Sequence, residues 1–65
     1  MKPKISIIIR TKNEERWIGK CISEIKKQNI KDYEIILVDD ESSDQTVEKA
    51  KFGGVDKVLY TENYL

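Results

Sequence analysis

Apolar and polar residues alternate along this chain in blocks that predict three strands and two helices. The first apolar run covers residues 4–9 and is rich in isoleucine, whose β-branched side chain favours strands. A second run covers residues 34–38 and stops at two adjacent carboxylates, Asp39 and Asp40, and a third run covers residues 57–60. Because the first run is apolar almost throughout, we expect it to form a central parallel strand that is covered on both faces.

The segment after the first strand has the spacing of an amphipathic helix. Its apolar side chains recur at helical intervals, and they are Trp17, Ile18, Cys21, Ile22 and Ile25. Asn13 is the predicted N-cap, and Glu14 and Glu15 follow in the first turn, where the helix dipole favours negative charge. We therefore expect Trp17 and Cys21 to lie in the core with the isoleucines.

A second helix is predicted between the second and third strands. Ser42 and Gln45 have the spacing of a capping box, and Gly53 and Gly54 favour a helix end because glycine readily adopts the left-handed conformation. The resulting order, β-α-β-α-β, predicts an α/β fold with a three-stranded parallel sheet. We expect a single domain over residues 1–65, with the strand order 3-2-1 of a half-Rossmann-like arrangement.

The composition narrows the class of protein. The chain has 65 residues, with 12 basic and 12 acidic side chains and a net charge of zero, which argues against binding to nucleic acid or to a membrane surface. Its single cysteine and its lack of histidine exclude an internal disulfide and a zinc site of the Cys/His type. No signal peptide or membrane-length apolar run is recognisable, so we expect a cytoplasmic location without membrane insertion.

Polar residues cluster where each predicted strand ends. The clusters are residues 10–14, residues 39–44 and, more weakly, residues 61–62. In a parallel sheet they open onto the same edge, where α/β proteins bind ligands. A carboxylate there can accept hydrogen bonds from a ribose hydroxyl or a base N–H, while Arg10 and Lys12 are candidate contacts to a diphosphate. The pattern indicates a ligand with a phosphate and a hydrogen-bonding base.

Simpler structural roles compete with this interpretation. The two glutamates after Asn13 can serve the dipole of the first helix, residues 42–44 can cap the second helix, and the basic residues can be solvated loop charges. Asp39 and Asp40 are harder to explain structurally, because paired carboxylates repel each other unless donors or a ligand face them. The chain has no glycine-rich dinucleotide or P-loop motif, and without histidine it cannot form a hydrolase triad.

Two motifs in this frame resemble those of family 2 glycosyltransferases. The first strand ends in residues 11–14, TKNE, which is similar to the Thr-x-Asn-Glu loop of that family. The second strand ends in residues 38–46, VDDESSDQT, which is similar to the family pattern Val-Asp-Asp-x-Ser-x-Asp-x-Thr. The resemblance covers nearly the whole chain. It implies the amino-terminal part of an inverting enzyme with the glycosyltransferase A-type fold, which binds a nucleotide-diphospho-sugar donor.

The resemblance also implies roles for individual residues. In the family, the loop after the first strand and the paired aspartates cradle a uracil, guanine or thymine nucleoside. By this analogy Asp40 hydrogen-bonds the base, and Thr11 and Glu14 line the same pocket. Asp39 and Ser42 support that pocket.

The chain also departs from the family pattern. Arg10 stands where proline is usual, and Lys12 stands where an aromatic residue often stacks on the base, so the base preference stays open. The metal-binding Asp-x-Asp motif and the catalytic base lie later in the family and have no counterpart in this sequence. We therefore expect no catalytic and no metal-binding residue here, although complete family members use Mg²⁺ or Mn²⁺, and we expect the isolated chain to be inactive.

Two other functions stay open on the sequence alone. A small non-enzymatic α/β module could self-associate as a homo-oligomer, since a three-stranded sheet leaves two edges that can pair with another chain. A phosphotransfer receiver could bind Mg²⁺ through Asp39 and Asp40, but this leaves the motif at residues 11–14 unexplained. Residues 62–65 follow the third strand without a cap or helix, so we expect either the front part of a longer protein or an unusually small member of its class.

Overall fold

The computed structural model describes residues 3–61 and contains five elements in the predicted order. The strands are β1 at Ile5–Thr11, β2 at Tyr33–Asp39 and β3 at Lys57–Tyr60, and the helices are α1 at Ile18–Lys27 and α2 at Thr46–Gly53. One sheet contains all three strands, with β1 parallel to β2 and β2 parallel to β3. The prediction of an α/β fold with three parallel strands is confirmed. Glu62 of the third polar cluster and the predicted chain end at 62–65 lie outside the described residues.

The pairing register brings the carboxyl ends of the strands to the same level. Thr11 at the end of β1 lies opposite Asp39 at the end of β2, and Asp39 lies opposite Tyr60 of β3. Backbone pairing continues past the strands, because the Asp40 N–H donates to the Thr11 carbonyl at 2.8 Å and the Thr61 N–H donates to the Asp39 carbonyl at 3.1 Å. The loops after β1 and β2 therefore start side by side.

The core lies on one face of the sheet. Its buried apolar side chains come from both helices and the central strand, and they are Ile18, Ile22, Ile35, Leu37 and Ala50. Side chains alternate across a strand, so Ile36 and Val38 lie on the opposite face, where they are half-buried. Their register partners on that face, Ile8 and Leu59, are 60% and 45% exposed. We call these four side chains the open sheet face.

The expectation that β1 is a central strand covered on both faces is wrong. Within the described sheet β2 is central, since it pairs with both other strands, and β1 lies at an edge. Ile5 and Ile8 of β1 are exposed. The apolar pattern of β1 and β2 is much the same, and hydrogen-bonded neighbours rather than composition decide which strand lies in the middle.

The predicted start of the first helix is also wrong. α1 begins at Ile18, and Asn13 does not cap it but adopts a left-handed backbone conformation with a φ of 53°. A turn fills the interval, in which the Glu14 carbonyl accepts hydrogen bonds from the N–H groups of Trp17 and Ile18, both at 2.9 Å. The first turn of α1 therefore carries no acidic residue, and the two glutamates after Asn13 serve the loop instead.

Two members of the predicted helical stripe lie outside the core. Trp17 is 63% exposed and Cys21 is exposed, whereas Ile18 and Ile22 are buried. The prediction of core positions for Trp17 and Cys21 is wrong. Because α1 starts late, Trp17 precedes the helix, and the stripe that faces the sheet narrows to Ile18, Ile22 and the half-buried Ile25.

The second helix differs from prediction at its start and agrees at its end. α2 begins at Thr46, and its N-cap residue, Gln45, makes no side-chain capping bond, so the expected capping box does not form. Gly54 ends the helix in the left-handed conformation with a φ of 100°, and its N–H bonds back to the carbonyls of Ala50 and Lys51. The glycine stop is therefore confirmed.

Candidate functional site

The Asp39 carboxylate is the centre of a buried hydrogen-bond network at the end of β2. Its Oδ1 accepts hydrogen bonds from the hydroxyls of Thr11 at 2.7 Å and Ser42 at 2.6 Å, and its Oδ2 accepts one from the Ser42 N–H at 2.9 Å. Asp39 is 1% exposed and Thr11 is 5% exposed. Both oxygens of the carboxylate are thus directed at donors of the protein itself, and Asp39 joins the ends of β1 and β2.

This network sets the charge of Asp39. Burial raises the pKa of the carboxyl, and the nearby charge of Asp44 raises it further, but the three hydrogen bonds from Ser42 and Thr11 more than offset both effects. The net pKa of Asp39 lies below its ordinary value of 3.8. Asp39 is therefore a carboxylate at neutral pH, and the hydrogen bonds from Ser42 and Thr11 stabilise its charge.

Asp40 differs from its neighbour in both exposure and partners. Its side chain is exposed at the rim of the sheet, and its Oδ1 accepts a hydrogen bond from the Thr61 hydroxyl at 2.7 Å. Its backbone N–H is held by the Thr11 carbonyl. The chain then turns at Glu41, which has a left-handed φ of 54°. Of the two predicted aspartates, Asp40 is the one whose side chain is exposed to solvent.

The loop after β1, residues 12–17, is bonded directly to the loop after β2, residues 40–45. We call them the first loop and the second loop. The Asn13 N–H donates to the Ser42 hydroxyl oxygen at 2.8 Å, and the Asn13 side-chain oxygen accepts from the N–H groups of Ser43 at 2.8 Å and Asp44 at 3.3 Å. The Ser42 hydroxyl that receives Asn13 is the same one that donates to Asp39. Asn13 thus bonds to three consecutive residues of the second loop, to Ser42 through its backbone N–H and to Ser43 and Asp44 through its side-chain oxygen.

A second set of bonds joins the loops where α2 begins. The N–H groups of Glu14 and Glu15 donate to the Thr46 hydroxyl at 2.8 Å and to the Asp44 carboxylate at 3.2 Å. In return the Glu15 carboxylate accepts from the Gln45 N–H at 2.9 Å. Asp44 also accepts hydrogen bonds from the N–H and hydroxyl of Thr46. The N–H groups of Glu14, Glu15 and Gln45 therefore find acceptors across the gap between the loops.

These donors also set the charge of Asp44. Partial burial raises the pKa of its carboxyl, but hydrogen bonds from the Thr46 hydroxyl, the Thr46 N–H and the Glu15 N–H reverse the effect. The resulting pKa lies below the ordinary value of 3.8. Asp44 accordingly stays ionised next to the N-terminus of α2, where the helix dipole favours negative charge.

The remaining predicted site residues lie on the first loop and its approach. Arg10 and Lys12 are exposed, and Glu14 is half-buried. Arg10, Thr11 and Glu14 share a cavity of about 270 Å³ whose wall includes Trp17. A second cavity, of about 320 Å³, is lined in part by Asp39 and Ser42. The structure thus brings Thr11, Asp39 and Ser42 into contact, while Glu14 and Ser42 line different cavities.

Sequence reasoning missed the residues that join the two loops. Asn13 and Glu15 are predicted to serve the first helix, and Thr46 belongs to the second motif without a predicted role, yet all three bond across to the other loop. The signal that could have found them is the pairing of two polar motifs at the ends of adjacent parallel strands. Such neighbouring loops meet, and their backbone donors need acceptors.

No group of three or more His, Cys, Asp or Glu residues among residues 3–61 is arranged to hold a metal ion. Asp39 accepts three hydrogen bonds from Thr11 and Ser42, Asp40 accepts one from Thr61, and neither belongs to such a group. The metal that the family resemblance implies has no fitting ligand set in this part of the chain. In the same range, no helix has the length and apolar character needed to span a membrane.

Level strand ends, a polar rim and paired loops define an α/β domain of the type that binds ligands at the carboxyl edge of its sheet. The sequence pattern described as Glycosyl transferase family 2 matches residues 6–57, which is most of the chain. The protein therefore belongs to glycosyltransferase family 2.

Individual relatives agree with this assignment. The chain is 48% identical over 44 residues to a GalNAc(5)-diNAcBac-PP-undecaprenol beta-1,3-glucosyltransferase of Campylobacter jejuni, which covers 68% of this chain and 14% of that protein. It is 48% identical over 56 residues to an uncharacterized glycosyltransferase of Rickettsia typhi, and the match covers 86% of this chain and 18% of that protein. It is 38% identical over 61 residues to glycosyltransferase GlyA of Streptococcus pneumoniae, and the match covers 91% of this chain and 9% of that protein. The chain thus spans less than a fifth of the length of these relatives.

Proposed function

We propose that residues 1–65 form a partial nucleotide-binding domain of the glycosyltransferase A type, with the half-Rossmann strand order 3-2-1. It recognises the nucleotide-diphospho-sugar donor of an inverting transfer. The observation that carries this proposal is the difference in burial and hydrogen bonding between Asp39 and Asp40. Asp39 is buried and accepts three hydrogen bonds from the protein, so it holds the strand ends together, whereas Asp40 is exposed beside it with a carboxylate that can accept from a base N–H.

The other predicted residues support Asp40 in different ways. Thr11 and Ser42 donate to Asp39 and so fix the backbone from which Asp40 projects. Glu14 lines the cavity that contains Thr11 and Arg10, whose guanidinium can neutralise a phosphate. Lys12 is exposed on the same loop and adds a second positive charge.

The transfer reaction itself is assigned to parts of a longer protein. No group of three or more metal-ligating side chains is found among the described residues, and the sequence contains no Asp-x-Asp motif. The relatives are more than five times as long as the matched segments, which leaves ample chain for a base and a metal site. The isolated chain is accordingly proposed to bind the donor nucleotide without transferring sugar.

Replacing Asp40 tests this proposal. We expect Asp40→Ala to weaken the affinity for uridine or guanosine diphosphate about tenfold or more, because a hydrogen bond to a charged group contributes about 1.5–3 kcal/mol. Isothermal titration calorimetry of the wild type and the variant, with EDTA and with Mn²⁺, measures the change.

Glu24→Ala is the matched control for the loss of one acidic side chain. Glu24 is exposed on α1 and pairs only with Lys27 at 3.5 Å among the described residues, so its removal should leave nucleotide affinity unchanged. A wild-type chain that binds neither diphosphate, or an Asp40→Ala variant that binds as well as the wild type, would refute the proposed site.

The edge position of β1 favours a second candidate function, self-association of the chain. In the described sheet β1 pairs on one side only, and its Ile8 is 60% exposed beside the other apolar side chains of the open sheet face. A long apolar edge strand is a template for pairing with a second copy. This candidate predicts a homo-oligomer and requires no ligand.

Introducing a charge at Ile8 tests self-association. If two copies meet through β1 and the open sheet face, Ile8→Lys should convert the oligomer to monomer, because lysine on an edge strand blocks pairing. Sedimentation velocity over a range of concentrations gives the oligomeric state. Phe52→Lys is the control, because it adds the same charge on α2, where Phe52 is 96% exposed. A monomeric wild type, or equal dissociation by both variants, would rule out this interface.

A further inference from the structure

Asn13 occupies an unusual position between the two loops. It lies outside both helices and has a left-handed φ of 53°, a conformation that asparagine tolerates better than most residues. Its side-chain oxygen accepts from the N–H groups of Ser43 and Asp44, which precede α2 in the chain. Asn13 therefore does for the approach to α2 what an N-cap side chain usually does for its own helix.

The second loop depends on this contact. Glu41 also has a left-handed φ, of 54°, which is unfavourable for a residue with a Cβ atom, so the loop needs outside support to keep its shape. Asn13 supplies two acceptor contacts to it and donates its own N–H to the Ser42 hydroxyl. That hydroxyl in turn donates a hydrogen bond to Asp39, the residue before Asp40.

We infer that Asn13 is a positioning residue of the nucleotide site, acting through the second loop and not by contact with the ligand. The Asn13 side-chain oxygen holds Ser43 and Asp44, and the Asn13 backbone N–H donates to the Ser42 hydroxyl, which bonds to Asp39 next to Asp40. The substitutions below remove or keep the side-chain contacts and leave the backbone contact in place. This inference rests on the proposed nucleotide binding for its functional part. Its structural part, that the Asn13 oxygen orders Ser43 and Asp44, stands independently.

Three substitutions separate the contributions of Asn13. Asn13→Gly keeps the left-handed backbone accessible but removes the acceptor. Asn13→Asp keeps an acceptor oxygen in the same place and tolerates the same backbone, and its negative charge faces N–H groups near a helix N-terminus. Asn13→Ala loses both features and is the variant most liable to unfold, so the comparison of glycine with aspartate carries the test.

Amide hydrogen exchange measured by NMR and affinity for uridine and guanosine diphosphates are the two readouts. In Asn13→Gly we expect the Ser43 and Asp44 amides to exchange about tenfold faster or more, since each loses its acceptor. The nucleotide affinity should fall by about the same factor, because a fluctuating loop presents the binding-competent arrangement for only a fraction of the time. Asn13→Asp should restore both quantities to within about threefold of the wild type, as its acceptor is retained.

Each result decides the matter in a different way. Unchanged exchange of Ser43 and Asp44 in Asn13→Gly would overturn the inference, because the loop would then be ordered without the side chain. Faster exchange with unchanged affinity would overturn it too, since it would leave Asn13 a merely structural role. A wild type that binds neither diphosphate contradicts the proposed nucleotide site and the positioning role with it, and the exchange data then still decide whether Asn13 orders the loop.

Discussion

Asp39→Ala is expected to lower the free energy of unfolding by about 3 kcal/mol or more, which is enough to unfold much of the chain. The substitution removes an acceptor that serves three donors, from Thr11 and Ser42, at a site that is 1% exposed. Leaving a buried donor unsatisfied costs about 1–3 kcal/mol, and a domain of this size has only a few kcal/mol of stability in total. Urea denaturation followed by circular dichroism measures the loss.

Two asparagine variants provide the controls for this result. Asp39→Asn keeps the shape of the side chain and one acceptor oxygen, so it should lose less than alanine does. Asp40→Asn changes the same group one residue further on, where it is exposed, and should alter the stability by less than about 0.5 kcal/mol. Equal losses for the two positions would show that the network around Asp39 does not hold the rim together.

The acid sensitivity of the chain should follow from the same carboxylate. The folded-state pKa of Asp39 lies below its unfolded value, so the unfolded state binds more protons in the acid range. The stabilisation is therefore fully present above the unfolded pKa of about 3.9 and is lost as the pH falls through the lower, folded value. Asp39→Asn cannot titrate there, so its stability should decline less steeply below about pH 4 than that of the wild type.

Leu37→Ala is expected to have the second large effect, a loss of about 3 kcal/mol in the free energy of unfolding. Leu37 is fully buried on the central strand and belongs to the apolar cluster that, among residues 3–61, joins both helices to the sheet. Truncating a buried leucine loses its transfer free energy and leaves a cavity, which together cost about 2–5 kcal/mol. The midpoint and slope of urea denaturation give the change.

Leu59→Ala is the matched control, with the same chemical change on the opposite face of the sheet. Leu59 is 45% exposed, so its truncation should cost less than about 1 kcal/mol. If the chain self-associates through the open sheet face, the control will show a loss that grows with protein concentration. A Leu59→Ala loss as large as that of Leu37→Ala at low concentration would contradict the one-sided core.

The sequence predicts the elements of this fold well because its apolar runs are short and clearly bounded. The third strand is observed at the predicted residues 57–60, and Gly54 ends α2 as expected. What the pattern does not contain is the position of each strand in the sheet. β1 and β2 are similarly apolar, and only the pairing shows that β1 is at an edge.

The loops were predicted less well than the strands, for a physical reason. Local rules assign a cap such as Asn13 to the helix that follows it in the chain, whereas this asparagine bonds to residues about 30 positions later. The sequence can show that Thr11 and Asp39 end adjacent strands, but it does not show that their side chains bond to each other. The sequence thus locates the polar residues at the ends of the strands but does not show which of Asp39 and Asp40 is buried.

The exposed indole of Trp17 gives this small protein a built-in optical reporter. It is the only tryptophan in the chain, and it lines the cavity that contains Arg10, Thr11 and Glu14. Its fluorescence emission should change when a ligand binds in that cavity, so no attached dye is needed. Because the ring is already largely in water in the native state, the same emission will register the loss of the fold only weakly.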